Sequence, residues 1–104
     1  MDNVFEEIRK ERQRQIEKWG EQKLPMLNVP FTEKGIEEKS KAYKAINDNS
    51  ESSWFSVLQE EVSEAFAETD PKKQREEMIQ VAAVAVQIIE YLDRRVNSEI
   101  NNNA

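Results

Sequence analysis

The charged residues between Trp54 and Asp70 are all acidic. Between Trp54 and Asp70 there are five acidic residues and no basic one, and Glu60, Glu61 and Glu64 form an E-E-x-x-E pattern. Like charges three or four residues apart destabilise a helix by about 0.2–0.5 kcal/mol per pair. Carboxylates clustered at the edge of an apolar helix face either raise their pKa or bind a cation. The pattern therefore favours a cation site over the alternative of a solvated acidic face.

A second set of oxygen ligands follows along the chain. Glu77 and Gln80 are three residues apart, at the start of the apolar segment from Met78 to Leu92. On a helix their side chains lie about 60° apart. If the two helices pack antiparallel, one oxygen-rich position can be formed by Glu61, Glu64, Glu77 and Gln80. We predict that these four residues bind a hard cation such as Mg²⁺, Mn²⁺ or Ca²⁺.

Two residue types that commonly bind metals or catalyse reactions are missing, and their absence limits the kinds of active site that the chain can form. The chain contains no cysteine and no histidine. The first absence excludes disulfides, iron–sulfur clusters and a cysteine nucleophile. The second excludes a histidine general base, a Ser-His-Asp triad and every histidine-ligated metal. Acid–base chemistry would fall to carboxylates, lysine, tyrosine or metal-bound water.

The charge balance limits the partners. There are 15 Lys and Arg against 21 Asp and Glu, a net charge of −6. Nucleic acid polymers and anionic membranes need a basic surface, so neither is expected as a partner. Residues 1–7 do not resemble a signal peptide, and residues 78–92 are too few and too polar to span a bilayer. We expect a cytoplasmic protein that small nucleotides can approach through a bound cation.

The elements that must position these side chains are predicted to be helices. The 104 residues include only two glycines and three prolines, and 35% of them are charged, which favours a single all-α domain. Capping residues, namely Gly20 after the first helix, Thr32 before the second and Ser52 or Ser53 before the third, together with apolar spacing predict four helices. They run from Asp2 or Asn3 to Trp19, from Glu33 to about Asn47, from Trp54 to about Thr69 and from Pro71 to about Ser98, with residues 99–104 as a frayed tail.

The apolar composition of the last helix indicates an oligomer. From Met78 to Leu92, 12 of 15 residues are apolar, and they surround the helix on every side. Such a helix needs to be covered on all faces, and three other helices in a short chain hardly suffice. We therefore predict a homodimer or a homotetramer. The alternative is that the alanines of this segment remain exposed at little cost.

Arg12 is a candidate for binding substrate phosphate. It lies within the apolar face predicted for the first helix, and a buried guanidinium needs a partner. The alternative, and the more common arrangement for such an arginine, is that it pairs with a local carboxylate and packs its stem. The apolar face consists of Val4, Phe5, Ile8, Ile16 and Trp19.

The acidic motifs and the end of the first helix resemble those of the MazG-like all-α nucleoside triphosphate pyrophosphohydrolases. The resemblance covers about residues 5–93. It depends on three segments: Glu60-Glu61-Val62-Ser63-Glu64, the run from Glu77 to Ala85, and the stretch from Glu11 to Gln15 that continues into Lys18-Trp19-Gly20-Glu21-Gln22.

The resemblance implies a four-helix, bundle-type fold, Mg²⁺ bound by the acidic residues, and cleavage of a nucleoside triphosphate to the monophosphate and pyrophosphate. It also implies that Glu60 orients the attacking water or binds a second metal, the alternative being a surface glutamate. It suggests that Trp19 stacks on the base, although aromatic residues at helical spacing more often belong to the core. The family has an aspartate where this chain has Gln80. A glutamine carbonyl can still bind Mg²⁺, but one charge is lost, so a non-catalytic dimerisation or nucleotide-sensing module is the alternative.

Overall fold

In this computed structural model residues 2–28 and 31–103 are described, and within them the chain forms four helices and no strand. The prediction of an all-α protein is confirmed. The helices are α1 (Asp2–Trp19), α2 (Glu33–Asp48), α3 (Trp54–Ala67) and α4 (Pro71–Asn103).

The helix ends follow local signals in the sequence. α1 ends where Gly20 adopts a φ of +66°, a left-handed conformation that costs glycine little, and its N–H donates to Ile16 O at 2.7 Å. α2 begins after Thr32, whose hydroxyl accepts a hydrogen bond from Gly35 N at 3.0 Å. Both ends were predicted from these residues, because caps depend on contacts within one turn.

α3 begins with a reciprocal cap. Ser53 Oγ accepts from Ser56 N at 3.0 Å, and Ser56 Oγ accepts from Ser53 N at 2.9 Å. The helix ends at Ala67 because Glu68 is already extended, with φ −74° and ψ 131°. α3 is therefore about two residues shorter than predicted.

α4 begins at Pro71, as predicted, and is longer than predicted. It continues to Asn103, five residues beyond the expected end at Ser98. Residues 99–103, expected to fray, are helical, and Ala104 lies outside the described residues. A polar last turn ends a helix only weakly, since asparagine costs well under 1 kcal/mol in helix propensity.

Two compact units can be distinguished along the chain, and the first extends from Met26 to Ala85. In it α2 packs along α3, with the rings of Tyr43 and Phe55 edge to face at 6.1 Å. The side chains that become buried here are small, which lets the helices approach closely. They are Ser40 on α2 and Ser56, Ser63 and Ala65 on α3.

The first part of α4 is bound to α3 in the same unit. Gln74 Nε2 donates to Ala65 O at 2.9 Å. This contact reaches the last turn of α3, where carbonyl groups have no partner inside the helix. The start of α4 is therefore held beside the helix that carries the acidic motif.

The second unit comprises α1 with the loop to Pro25 and the part of α4 from Val86. Val4 and Val86 are buried in it. The larger apolar side chains remain exposed, among them Phe5, Ile8, Ile16 and Trp19 on α1 and Leu92, Val96 and Ile100 on α4. The predicted apolar faces exist, and in the described part of the chain most of their large side chains are exposed.

None of the helices, as far as the structure describes them, combines the length and the apolar character needed to cross a membrane.

Candidate metal centre

The acidic motif of α3 forms a compact cluster. Glu60, Glu61 and Glu64 each contribute a carboxylate oxygen, and these oxygens all lie within 4.8 Å of one another. All three residues are half-buried. One helical turn brings the first two alongside the third, because residues three and four apart are neighbours on a helix surface. The three predicted side chains are thus brought together.

Two buried carboxylate oxygens, Glu61 Oε2 on α3 and Glu77 Oε2 on α4, have no hydrogen-bond partner among the described residues. A buried acceptor without a partner costs about 1–3 kcal/mol, and more when it is charged. A proton or a cation would satisfy each of these atoms. Buried, unpaired oxygens of this kind are what a bound cation requires, so the residues present fit a cation.

Burial, and after it the charge of neighbouring carboxylates, raises the pKa values of Glu61, Glu64 and Glu77. Burial raises the pKa of Glu64 to about 7, with further contributions from the charges of Glu61 and Glu60. When protonated, Glu64 also donates a hydrogen bond to Glu60, and the charge of Glu77 adds a smaller effect. Each of these causes disfavours the ionised form of Glu64.

The other two shifted groups behave in the same way. Burial, and after it the charge of Glu60, raises the pKa of Glu61. Burial also raises the pKa of Glu77, followed by the charges of Glu68, Glu61 and Glu76. Within the described residues, no ion pair includes any of the cluster's carboxylates. Negative charge accumulates here without a basic side chain to neutralise it.

Asn47 is a contact of the site that sequence reasoning missed. Its Nδ2 donates to Glu60 Oε1 at 2.8 Å and to Ser56 O at 3.3 Å. Its Oδ1 accepts from Ser56 Oγ at 2.7 Å. In the sequence this asparagine marks the break after the second helix. No local pattern relates it to a glutamate thirteen positions later, because the packing of α2 on α3 creates that contact.

Gln80 lies one turn beyond Glu77 on α4, and its side chain is exposed. Unlike Glu61, Glu64 and Glu77, it is not half-buried. Its predicted role as a ligand remains a prediction.

The predicted substrate residues belong to the other unit. Arg12 is exposed on α1 rather than buried, and its Nη1 donates to Gln15 Oε1 at 2.7 Å, an amide and not a carboxylate. It lines a cleft of about 370 Å³ at the end of α1, together with Gln15, Ile16, Gly20, Glu21 and Gln22.

Trp19 is also exposed, and Lys18 Nζ lies 4.8 Å from the centre of its ring. An exposed indole with a cation on one face is available for stacking. Its role in stacking on a base remains a prediction.

Comparison of the chain with family models, with curated proteins and with solved structures gave no match in any of the three searches. The functional interpretation therefore depends on the chemistry of the carboxylates.

Proposed function

We propose that this protein is a Mg²⁺-dependent nucleoside triphosphate pyrophosphohydrolase of the MazG-like type. One observation carries the proposal: three carboxylate oxygens within 4.8 Å, accompanied by buried, unpaired oxygens on Glu61 and Glu77. Acidic groups gathered without a basic partner are stabilised by a hard divalent cation. No histidine or cysteine is needed for this chemistry, and the chain has neither.

In this proposal Glu61, Glu64 and Glu77 hold Mg²⁺, with the amide oxygen of Gln80 as a further ligand. Mn²⁺ would fit the same oxygen ligands. When bound, the cation neutralises phosphate charge and lowers the pKa of a bound water. Glu60, whose carboxylate lies beside the metal ligands, is the candidate to bind a second metal or to accept the proton of the attacking water.

The substrate would be an NTP or a dNTP. Arg12, exposed and in no ion pair with the described carboxylates, supplies a guanidinium suited to phosphate. Trp19 supplies an exposed aromatic face suited to a base. Both lie in the unit formed by α1 and the later part of α4.

The direct test is an assay of the purified protein with a panel of NTPs and dNTPs and Mg²⁺, in which pyrophosphate is measured. Release of pyrophosphate with the matching monophosphate supports the proposal. Release of orthophosphate instead, or no product with any nucleotide, would contradict it.

A second candidate function is a non-catalytic dimerisation or nucleotide-sensing module. The observation that favours it is the exposed glutamine at position 80, where the MazG-like pattern has an aspartate. Such a module would bind nucleotide or Mg²⁺ without releasing pyrophosphate, so the same assay combined with a binding measurement separates the two functions.

Gln80→Asp tests the missing charge. If Gln80 belongs to the metal site, this substitution should tighten Mg²⁺ binding by about tenfold, or about 1.4 kcal/mol, and keep or raise activity. Metal titration of the variant checks this. If position 80 instead faces a partner subunit, a carboxylate buried there without a cation weakens association. Weaker association with unchanged Mg²⁺ binding would remove Gln80 from the site.

We also propose that the protein is a homodimer or a homotetramer. Ile79, Leu92, Val96 and Ile100 on α4 are all exposed in the single chain, and a partner would cover them. Sedimentation at micromolar concentration should give a species of about 24 kDa or larger, twice the 12.2 kDa chain or more.

Leu92→Glu should shift the protein toward the monomer, because an unpaired charge in an interface costs several kcal/mol. Arg94→Ala, about 200° around the same helix, is the matched control and should leave assembly unchanged. A wild-type protein that sediments only at 12.2 kDa would contradict the proposal.

A further inference from the structure

Asn47, in the last turn of α2, bridges to α3 through both ends of its amide. We infer that Asn47 is a positioning residue for the carboxylate cluster: it fixes the orientation of Glu60 beside the cation ligands Glu61 and Glu64. This inference rests on the proposed function, since it assigns Asn47 a role at the same site.

The orientation of the Asn47 amide is determined by Ser56. This serine is buried, and its hydroxyl accepts a hydrogen bond from Ser53 N at 2.9 Å. Its proton has two acceptors in reach, Asn47 Oδ1 at 2.7 Å and Ser53 O at 3.2 Å, and the shorter bond is to Asn47. The capping box at the start of α3 thereby holds the amide oxygen of Asn47.

With its oxygen bound, the amide directs Nδ2 toward α3. Nδ2 lies 2.8 Å from Glu60 Oε1 and 3.3 Å from Ser56 O, and both of these atoms are acceptors. A flipped amide would place an oxygen against two oxygens and its NH₂ against the serine hydroxyl, so only one orientation satisfies every group. The donor is therefore fixed on Glu60.

The consequence for Glu60 is restricted rotation of its carboxylate. The terminal torsion of a glutamate is soft and broad when nothing holds it. A bond from Asn47 to Oε1 keeps the group in one orientation beside the other two carboxylates, within the 4.8 Å cluster. Partners that orient metal ligands typically account for a 10–100-fold difference in metal affinity or activity.

The test compares Asn47→Ala with Asn49→Ala. Asn49 lies two residues later and donates only to the backbone, from Nδ2 to Ala45 O at 2.8 Å, so it is a matched control. The measurement is the Mg²⁺ concentration that half-saturates the folded protein in a calorimetric titration. We expect Asn47→Ala to raise this concentration about tenfold or more, and Asn49→Ala to leave it unchanged.

A purely structural link between α2 and α3 predicts a different result. Asn47→Ala would then lower the melting temperature without Mg²⁺ but leave the half-saturating Mg²⁺ concentration as in the wild type, and that outcome overturns the inference alone. If Asn47→Ala does not fold, Asn47→Ser replaces it, because its short hydroxyl can bond within the turn but cannot reach Glu60.

A double-variant cycle checks that Asn47 acts through Glu60. In a Glu60→Ala background, Asn47→Ala should cause no further change in the half-saturating Mg²⁺ concentration. Additive effects of the two substitutions would overturn the inference while leaving the metal site intact. A wild-type protein with no response to Mg²⁺ would overturn the proposed function and the inference with it.

Discussion

Glu61→Gln is expected to abolish the stabilisation of this protein by Mg²⁺ and to reduce pyrophosphate release by on the order of 100-fold. In the wild type, a Mg²⁺ concentration about 100 times Kd should stabilise the fold by about 2.7 kcal/mol, since the metal binds only the folded state. For a chain of this size that corresponds to a rise of about 10–20 °C in melting temperature.

The physical reason is the unpaired oxygen of Glu61. Its Oε2 is inaccessible to solvent and has no hydrogen-bond partner, and burial raises the pKa of the group. The amide of a glutamine has nearly the same size but no charge to attract a cation. Without Mg²⁺, the variant should be more stable than the wild type, because repulsion between Glu60 and Glu61 is removed.

Glu51→Gln is the matched control for this experiment. Glu51 is exposed, lies before α3 and is outside the carboxylate cluster, so this variant loses the same unit of charge elsewhere. It should show the wild-type response to Mg²⁺ and the wild-type rate. If Glu61→Gln responds to Mg²⁺ like Glu51→Gln, the carboxylates of α3 form a solvated acidic face and not a metal site.

The parts of the fold that sequence could predict are those determined by neighbours in the chain. Gly20, Thr32 and Ser53 ended or began their helices at the predicted positions, because a cap is formed within one turn. The end of α4 was missed, since residues 99–103 contain neither a glycine nor a proline to stop the helix. The end of a helix without a stop signal depends on the helix propensity of its last residues and on tertiary packing.

Burial was harder to predict than position on a helix. The spacing in α1 correctly places Ile8, Arg12 and Ile16 on one face, but all three are exposed in this chain. Helical periodicity identifies the face that favours contact. What covers that face depends on segments far away in sequence or on a second chain.

In the candidate site too, contacts within one helix could be predicted from the sequence and contacts between helices could not. The closeness of Glu60, Glu61 and Glu64 follows from helix geometry alone, and the structure agrees with it. The contribution of Asn47 follows from the packing of α2 on α3 and has no counterpart in a one-dimensional pattern. Sequence therefore predicts ligands within one helix better than the groups from another helix that orient them.

The stability of the metal-free protein is expected to fall as the pH rises from about 4.5 to about 7. Glu64 has its pKa raised from 4.5 to about 7, so the folded state holds a proton that the unfolded state releases. Stability from that proton is fully present below pH 4.5 and is lost as the pH rises through the folded pKa. After discounting for partial exposure, the loss should be about 2 kcal/mol.

Urea unfolding from pH 4.5 to 8 at fixed protein concentration measures this change, and Glu64→Gln should flatten the part of the profile that belongs to Glu64. Glu61 and Glu77, whose pKa values are also raised, contribute in the same direction. Above pH 7, Mg²⁺ should take the place of the proton and offset the loss of stability. Because Mg²⁺ and the proton compete for the same carboxylates, the apparent Mg²⁺ affinity should increase with pH up to about pH 7. A wild-type profile that is flat or rises over this range, with Mg²⁺ affinity independent of pH, would show that the carboxylates repel one another too weakly to form the proposed centre.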